Sequence, residues 1–76
     1  MTPEQRGMAA DRLLKDDTLR EALDVIKDDA VGVFRYPNAS TEEIMEAHRM
    51  VRALDAFETK LRAFVMDGEL AKRRRK

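Results

Sequence analysis

The sequence predicts an all-α protein, an antiparallel helical hairpin of two long helices preceded by a short N-terminal helix. Apolar residues recur at the i, i+3, i+4, i+7 spacing of a helix face from Leu19 to Phe34 and again from Ile44 to Val65. Residues that cap helices precede both stretches, and no segment shows the alternation of a β-strand. The chain has 76 residues and no cysteine, which allows one small domain and no disulfide framework.

The short first helix is predicted over about residues 3–15. Thr2 precedes it, and Gln5 stands three residues later, which is the spacing of a capping box. A cluster of residues that favour caps over helix interiors then predicts a break near Asp16. Either Asp16 or Thr18 would cap the next helix.

The second helix is predicted over about residues 18–35. Gly32 weakens it by up to about 1 kcal/mol relative to alanine, unless a neighbouring backbone approaches closely there. Pro37 ends it, because proline disfavours helical geometry at the preceding Tyr36.

The third helix is predicted over about residues 41–67, opened by a capping box of Ser40 and Glu43 and closed by Gly68 as a terminal glycine. The connection from the second helix is short, so the two long helices should lie antiparallel. Six residues are expected to form the seam between them, Leu23, Ile26 and Val33 against Val51, Leu54 and Leu61.

Charge divides the chain into a single helical domain, residues 1–71, and a basic C-terminal arm. The first part holds ten basic and fifteen acidic side chains, and the last five residues carry five positive charges. We expect a disordered arm that binds nucleic acid, another polyanion or an acidic protein surface, or else remains a solvated tail. It consists of Lys72, Arg73, Arg74, Arg75 and Lys76.

No catalytic, cofactor-binding or metal-binding residues are expected, and the chain is predicted not to be an enzyme. The only histidine is His48, and cysteine ligands or nucleophiles are absent. No apolar run approaches the about 18 residues of a membrane span. The N-terminal residues lack the order of a signal peptide. A cytoplasmic protein without membrane contact is therefore expected.

Several apolar residues fall outside the predicted seam, and a two-helix hairpin has no third long helix to cover them. Single exposed methionines and valines are ordinary on protein surfaces. Their number here nevertheless favours an interaction surface for a homo-oligomer or a protein partner. The residues are Val25, Val31, Met45, Met50 and Met66.

The segments Ala10–Leu14, Asp16–Leu23 and Phe64–Ala71 together resemble small helical-hairpin proteins of tailed phages and prophages. Hairpins of this kind are also similar to the ring-forming oligomerisation segment of small terminase subunits. The resemblance implies an assembly or DNA-packaging accessory, with the virion as a further location. It assigns no functional residue, and residues 1–18 are too few for the helix-turn-helix domain of those subunits.

The sequence thus favours a non-enzymatic module that oligomerises or binds a partner. One alternative is a small nucleic-acid-binding regulator that uses its basic arm. Another is an acidic inhibitor whose negatively charged body masks a nucleic-acid-binding partner.

Overall fold

The computed structural model describes residues 1–75, and these form three helices without a strand among them. Helix α1 spans Pro3–Leu14, α2 spans Asp17–Val33 and α3 spans Thr41–Arg74. The protein is therefore all-α.

Helices α1 and α3 both begin with a complete capping box, as predicted. The Thr2 hydroxyl accepts the backbone N–H of Gln5 at 3.1 Å, and the Gln5 side chain accepts the backbone N–H of Thr2 at 2.9 Å. Ser40 and Glu43 repeat this exchange at 3.1 and 3.2 Å. Two backbone N–H groups that have no partner within the helix are satisfied at each start.

The break between α1 and α2 is capped by Asp16 and not by Thr18. Its carboxylate accepts the backbone N–H of Leu19 at 2.8 Å, which leaves Asp17 as the first residue of α2. The negative charge of Asp16 also interacts favourably with the positive N-terminal end of the helix dipole.

Helices α1 and α2 both pack on α3. Helix α1 lies beside the C-terminal part of α3, and α2 lies beside the part that precedes it. In α1, Glu4 contacts Arg75 and Gly7 packs on Gly68, whereas Lys27 in α2 contacts Glu58. The result is an elongated molecule of 59 × 22 × 16 Å. Helix α1 makes the most extensive contact with α3.

The interior is narrow and is made mostly of small residues. Within residues 1–75, Leu61 is the only large side chain in it, and the buried residues are Gly7, Ala10, Ala30, Ala47, Leu61 and Gly68. The surface measures 6240 Å², against about 4,800 Å² for a compact monomer of this mass. Much apolar surface is therefore left in contact with water.

The predicted seam residues are buried to different degrees. Leu61 is buried and Ile26 is 40% exposed. The other four, Leu23, Val33, Val51 and Leu54, are half-buried.

Gly68 does not end the third helix, which corrects the predicted boundary near residue 67. Helix α3 continues to Arg74. Gly68 is instead the point at which α3 packs closely on α1. A Cβ on Gly68 would lie 3.0 Å from the carbonyl oxygen of Pro3 and 3.1 Å from the Cα of Gly7. The glycines let the two backbones touch. No atom lies within 4 Å of a Cβ built on Gly32, so the close approach considered there occurs at Gly68.

The predicted disordered arm is also corrected, since Lys72, Arg73 and Arg74 form the last turn of α3. Cations are favourable at this end of a helix because of its dipole. The guanidinium of Arg75 lies 3.0 Å from the Glu4 carboxylate, which ties the end of α3 to the start of α1. Lys76 lies outside the described residues.

Candidate protein-interaction surface

A groove of about 560 Å³ runs between α2 and the first half of α3. Its floor is apolar and its rim is acidic. The floor consists of Ile26, Ala30, Val33, Ala47 and Met50, and the acidic rim consists of Asp29, Glu42, Glu43 and Glu46. Such a combination suits an occupant with apolar side chains and positive charge.

The groove is open because small residues line its base. Ala30 on α2 and Ala47 on α3 are both buried, and neither fills the space between the larger side chains at the edges. Ile26 and Val33 are seven residues apart and so share one side of α2. In this groove, Ile26 is 40% exposed and Met50 is 42% exposed.

The apolar surface continues beyond the groove along α3. Met50, Phe57 and Phe64 are spaced seven residues apart, and they follow one side of the helix. Phe57 is 44% exposed, and Phe64 is half-buried beneath the guanidinium of Arg6, which lies 5.3 Å from the ring centre. We refer to Met50, Phe57 and Phe64 as the apolar stripe.

Formal charge is distributed unevenly along the 59 Å axis. The loop end, residues 24–50, holds six acidic and three basic side chains. The open end, residues 1–12 and 64–75, holds four acidic and six basic side chains, and the part between them is balanced. The groove thus lies at the negative end, while the basic last turn of α3 lies at the positive end.

An ion cluster on Lys27 joins α2 to α3. The ammonium group donates to the carboxylate of Glu58 at 2.6 Å and lies 3.4 Å from Asp55, and Arg62 lies 3.5 Å from Glu58. The hydrogen bond to Glu58 raises the pKa of Lys27, and the same bond lowers the pKa of Glu58. Both groups stay charged at neutral pH, as expected of a structural contact between helices.

The five residues predicted to form the interaction surface are all exposed, but they do not form one patch. Of the five, only Met50 lines the groove. Met45 lies five residues before it, about 140° around α3. The others lie outside the groove lining, namely Val25, Val31 and Met66.

Sequence reasoning missed the acidic rim and assigned Ile26 to the hairpin seam. The seven-residue spacing of Met50, Phe57 and Phe64 indicates a second apolar stripe on α3. A second stripe beside the seam needs a second packing partner to cover it. The acids near Glu42 suit a helix start, which concealed their position beside the groove.

His48, the only histidine of the chain, is exposed on α3. Within residues 1–75, no group of three or more His, Asp or Glu side chains is placed to hold a metal ion. None of the helices in that same range is long and apolar enough to cross a membrane.

Comparisons of the chain with protein-family models, with curated proteins and with solved structures found no match.

Proposed function

We propose that this chain is a non-enzymatic helical module that acts by self-association or by binding a partner protein. In this proposal the structural unit is an antiparallel hairpin whose first arm is broken at Asp16. The observation that carries it is the exposed apolar surface formed by the groove and the apolar stripe.

Energetics support association. Fully burying one large aliphatic or aromatic side chain contributes about 1.5–3 kcal/mol. Leu61 alone among the large side chains of residues 1–75 is buried. Small domains usually balance burial against chain entropy with little surplus. Covering Met50, Phe57 and Ile26 in an interface would add the missing burial.

The proposal is tested by sedimentation velocity and thermal unfolding across about a hundredfold range of protein concentration. Assembly stabilises the folded form by mass action, so the melting temperature should rise with concentration. A strict monomer whose melting temperature is constant would contradict self-association and leave only the binding of a partner protein.

Nucleic-acid binding is a second candidate, favoured by the basic last turn of α3. Lys72, Arg73 and Arg74 are consecutive and exposed in the last turn of α3, where the helix holds them at a fixed spacing. Contacts to duplex phosphates would make log affinity fall linearly with log salt, with a slope of about −0.9 per contact. Replacing these three residues by glutamine should abolish binding if it occurs, and an unchanged affinity would rule out this turn as the contact.

The biological setting proposed from the phage resemblance is an assembly or DNA-packaging accessory, in the cytoplasm or in the virion. Gene order tests this setting directly. Neighbouring terminase or portal genes would support it, and a neighbourhood of unrelated metabolic genes would count against it.

A further inference from the structure

We propose that the groove is occupied by a second copy of this chain, packed antiparallel so that the two α3 helices meet along the apolar stripe. A two-fold axis at Phe57 relates the copies, and the basic end of each α3 lies over the acidic rim of the other. This inference rests on the proposed function, because it names the partner for the surface described there.

Charge selects the second copy as the occupant and fixes its direction. The groove is at the loop end, with six acidic and three basic side chains, and the open end has the opposite excess. An antiparallel pair places the negative end of each copy against the positive end of the other. A parallel pair would place both acidic rims together, which is unfavourable.

The register follows from the apolar stripe, which is symmetric about its central residue. Met50 and Phe64 stand seven residues before and after Phe57. Antiparallel packing on that centre sets Met50 of one copy against Phe64 of the other and pairs the two Phe57 rings at the axis. Aromatic pairs in such contacts contribute beyond their buried area.

The same register brings opposite charges together at both ends of the contact. Glu42 and Lys72 are each fifteen residues from Phe57, about 22 Å along the helix, so they lie at the same level of the pair, about 60° to either side of the apolar stripe. Arg6, which covers Phe64, would come beside Met50 of the second copy and hence near its Glu46. Each contact occurs twice, as two-fold symmetry requires.

The available area suits a dimer of ordinary size. Stable interfaces bury about 800 Å² per partner. The chain exposes 6240 Å², more than this amount above the about 4,800 Å² of a compact monomer. The pair also closes on itself, whereas head-to-tail packing of the charged ends would leave an open series of copies.

Charge reversal with mixing tests the arrangement. Glu42→Lys/Glu46→Lys changes the acidic rim and leaves the Glu43 cap in place, and Arg6→Glu changes the basic residue that covers Phe64. Each variant alone should dimerise at least about tenfold more weakly at low salt. An equimolar mixture should recover a dimer, because both contacts of the mixed pair regain opposite charges.

A matched control is Glu21→Lys/Asp24→Lys, which makes the same charge change at exposed sites of α2 outside the groove lining. It should dimerise like the unaltered chain. Mixed variants that stay monomeric although circular dichroism shows them folded would overturn the proposal, and so would a loss of dimer in the control.

Disulfide trapping tests the register, and the absence of cysteine in the chain makes single-cysteine variants unambiguous. A disulfide needs Cα atoms within about 7 Å. Phe57→Cys should cross-link to itself, and Met50→Cys should cross-link to Phe64→Cys in a mixture but not to itself. Met45→Cys is the control, since its exposure of 49% is close to the 44% of Phe57.

The outcomes separate this inference from the broader proposal. Self-association that survives both charge reversals and gives no Phe57→Cys cross-link would overturn the antiparallel dimer and keep an oligomerising module. Cross-linking of Met50→Cys to itself would show a parallel pair, and sedimentation of species larger than a dimer would show open assembly. Both results would overturn the inference. A strict monomer would overturn it as well, and would leave binding of a different protein as the remaining form of the proposed function.

Discussion

The contact between Gly7 and Gly68 predicts that two Gly→Ala substitutions in this chain have opposite effects on stability. Gly68→Ala places a methyl group 3.0 Å from the backbone oxygen of Pro3 and 3.1 Å from the Cα of Gly7. These are backbone atoms, which cannot rotate away as a flexible side chain would. Gly32→Ala places the same methyl group where no atom lies within 4 Å.

The magnitude follows from two opposing terms. Alanine is favoured over glycine inside a helix by up to about 1 kcal/mol, and this gain applies to both substitutions. Forcing a methyl group into a closely packed contact costs about 1–3 kcal/mol. Gly32→Ala should therefore stabilise the protein by up to about 1 kcal/mol. Gly68→Ala should be about 1–3 kcal/mol less stable than Gly32→Ala.

Denaturant and thermal unfolding followed by circular dichroism measure this difference. The melting temperature shifts by about 4–8 °C per kcal/mol for a domain of this size. All variants must be compared at one protein concentration, because association would change the apparent stability. If Gly68→Ala proved as stabilising as Gly32→Ala, the close crossing of α1 and α3 would be refuted.

The double variant Gly7→Ala/Gly68→Ala sharpens the test. Its two methyl groups would enter the same crossing point, so the helices need to separate only once. The combined cost should then be smaller than the sum of the two single costs, as expected for coupled neighbours. Additive costs would indicate that the two glycines act at separate contacts.

Three further results are expected. Leu61→Ala should cost about 2–5 kcal/mol of unfolding free energy in denaturant titrations, and Leu54→Ala should cost less, because Leu61 is buried and Leu54 is half-buried; equal costs would contradict this burial. The melting temperature should fall as pH drops below about 4.5, because Glu58, whose pKa is lowered, stabilises the fold in its ionised form and loses its charge below that range. It should also fall as pH rises above about 10.5, where Lys27, whose pKa is raised, loses its proton. Lys27→Met should reduce both declines, and a pH profile like that of the unaltered chain would show that the pair adds no stability. His48→Ala should leave the melting temperature and any self-association nearly unchanged, because the residue is exposed and outside the groove lining; a large loss of either would give His48 a role that its position does not explain.

Local signals in the sequence were sufficient to place the starts of α1 and α3. The capping boxes at Thr2 and Ser40 depend only on residues three apart, so they can be recognised without knowledge of the tertiary contacts. The end of α3 could not be located in this way. A glycine near a helix end is typical of a C-cap, but a glycine can also stand where two helices cross closely. The residue type alone does not tell the two roles apart. Only the position of α1 beside Gly68 distinguishes the two cases.

The position of α1 also explains why the basic residues after Gly68 are helical. Once Gly7 and Gly68 bring the two backbones into contact, Glu4 at the start of α1 comes within 3.0 Å of Arg75. Repulsion among adjacent basic side chains is then offset by this ion pair and by the helix dipole, which favours cations in the last turn. The chain therefore presents its positive charge on a rigid helix at a fixed distance from the groove. A flexible arm could reach many acidic surfaces, whereas a fixed basic end selects a partner whose acidic and apolar features have the same spacing. In the proposed antiparallel dimer, a second copy of the chain has that spacing.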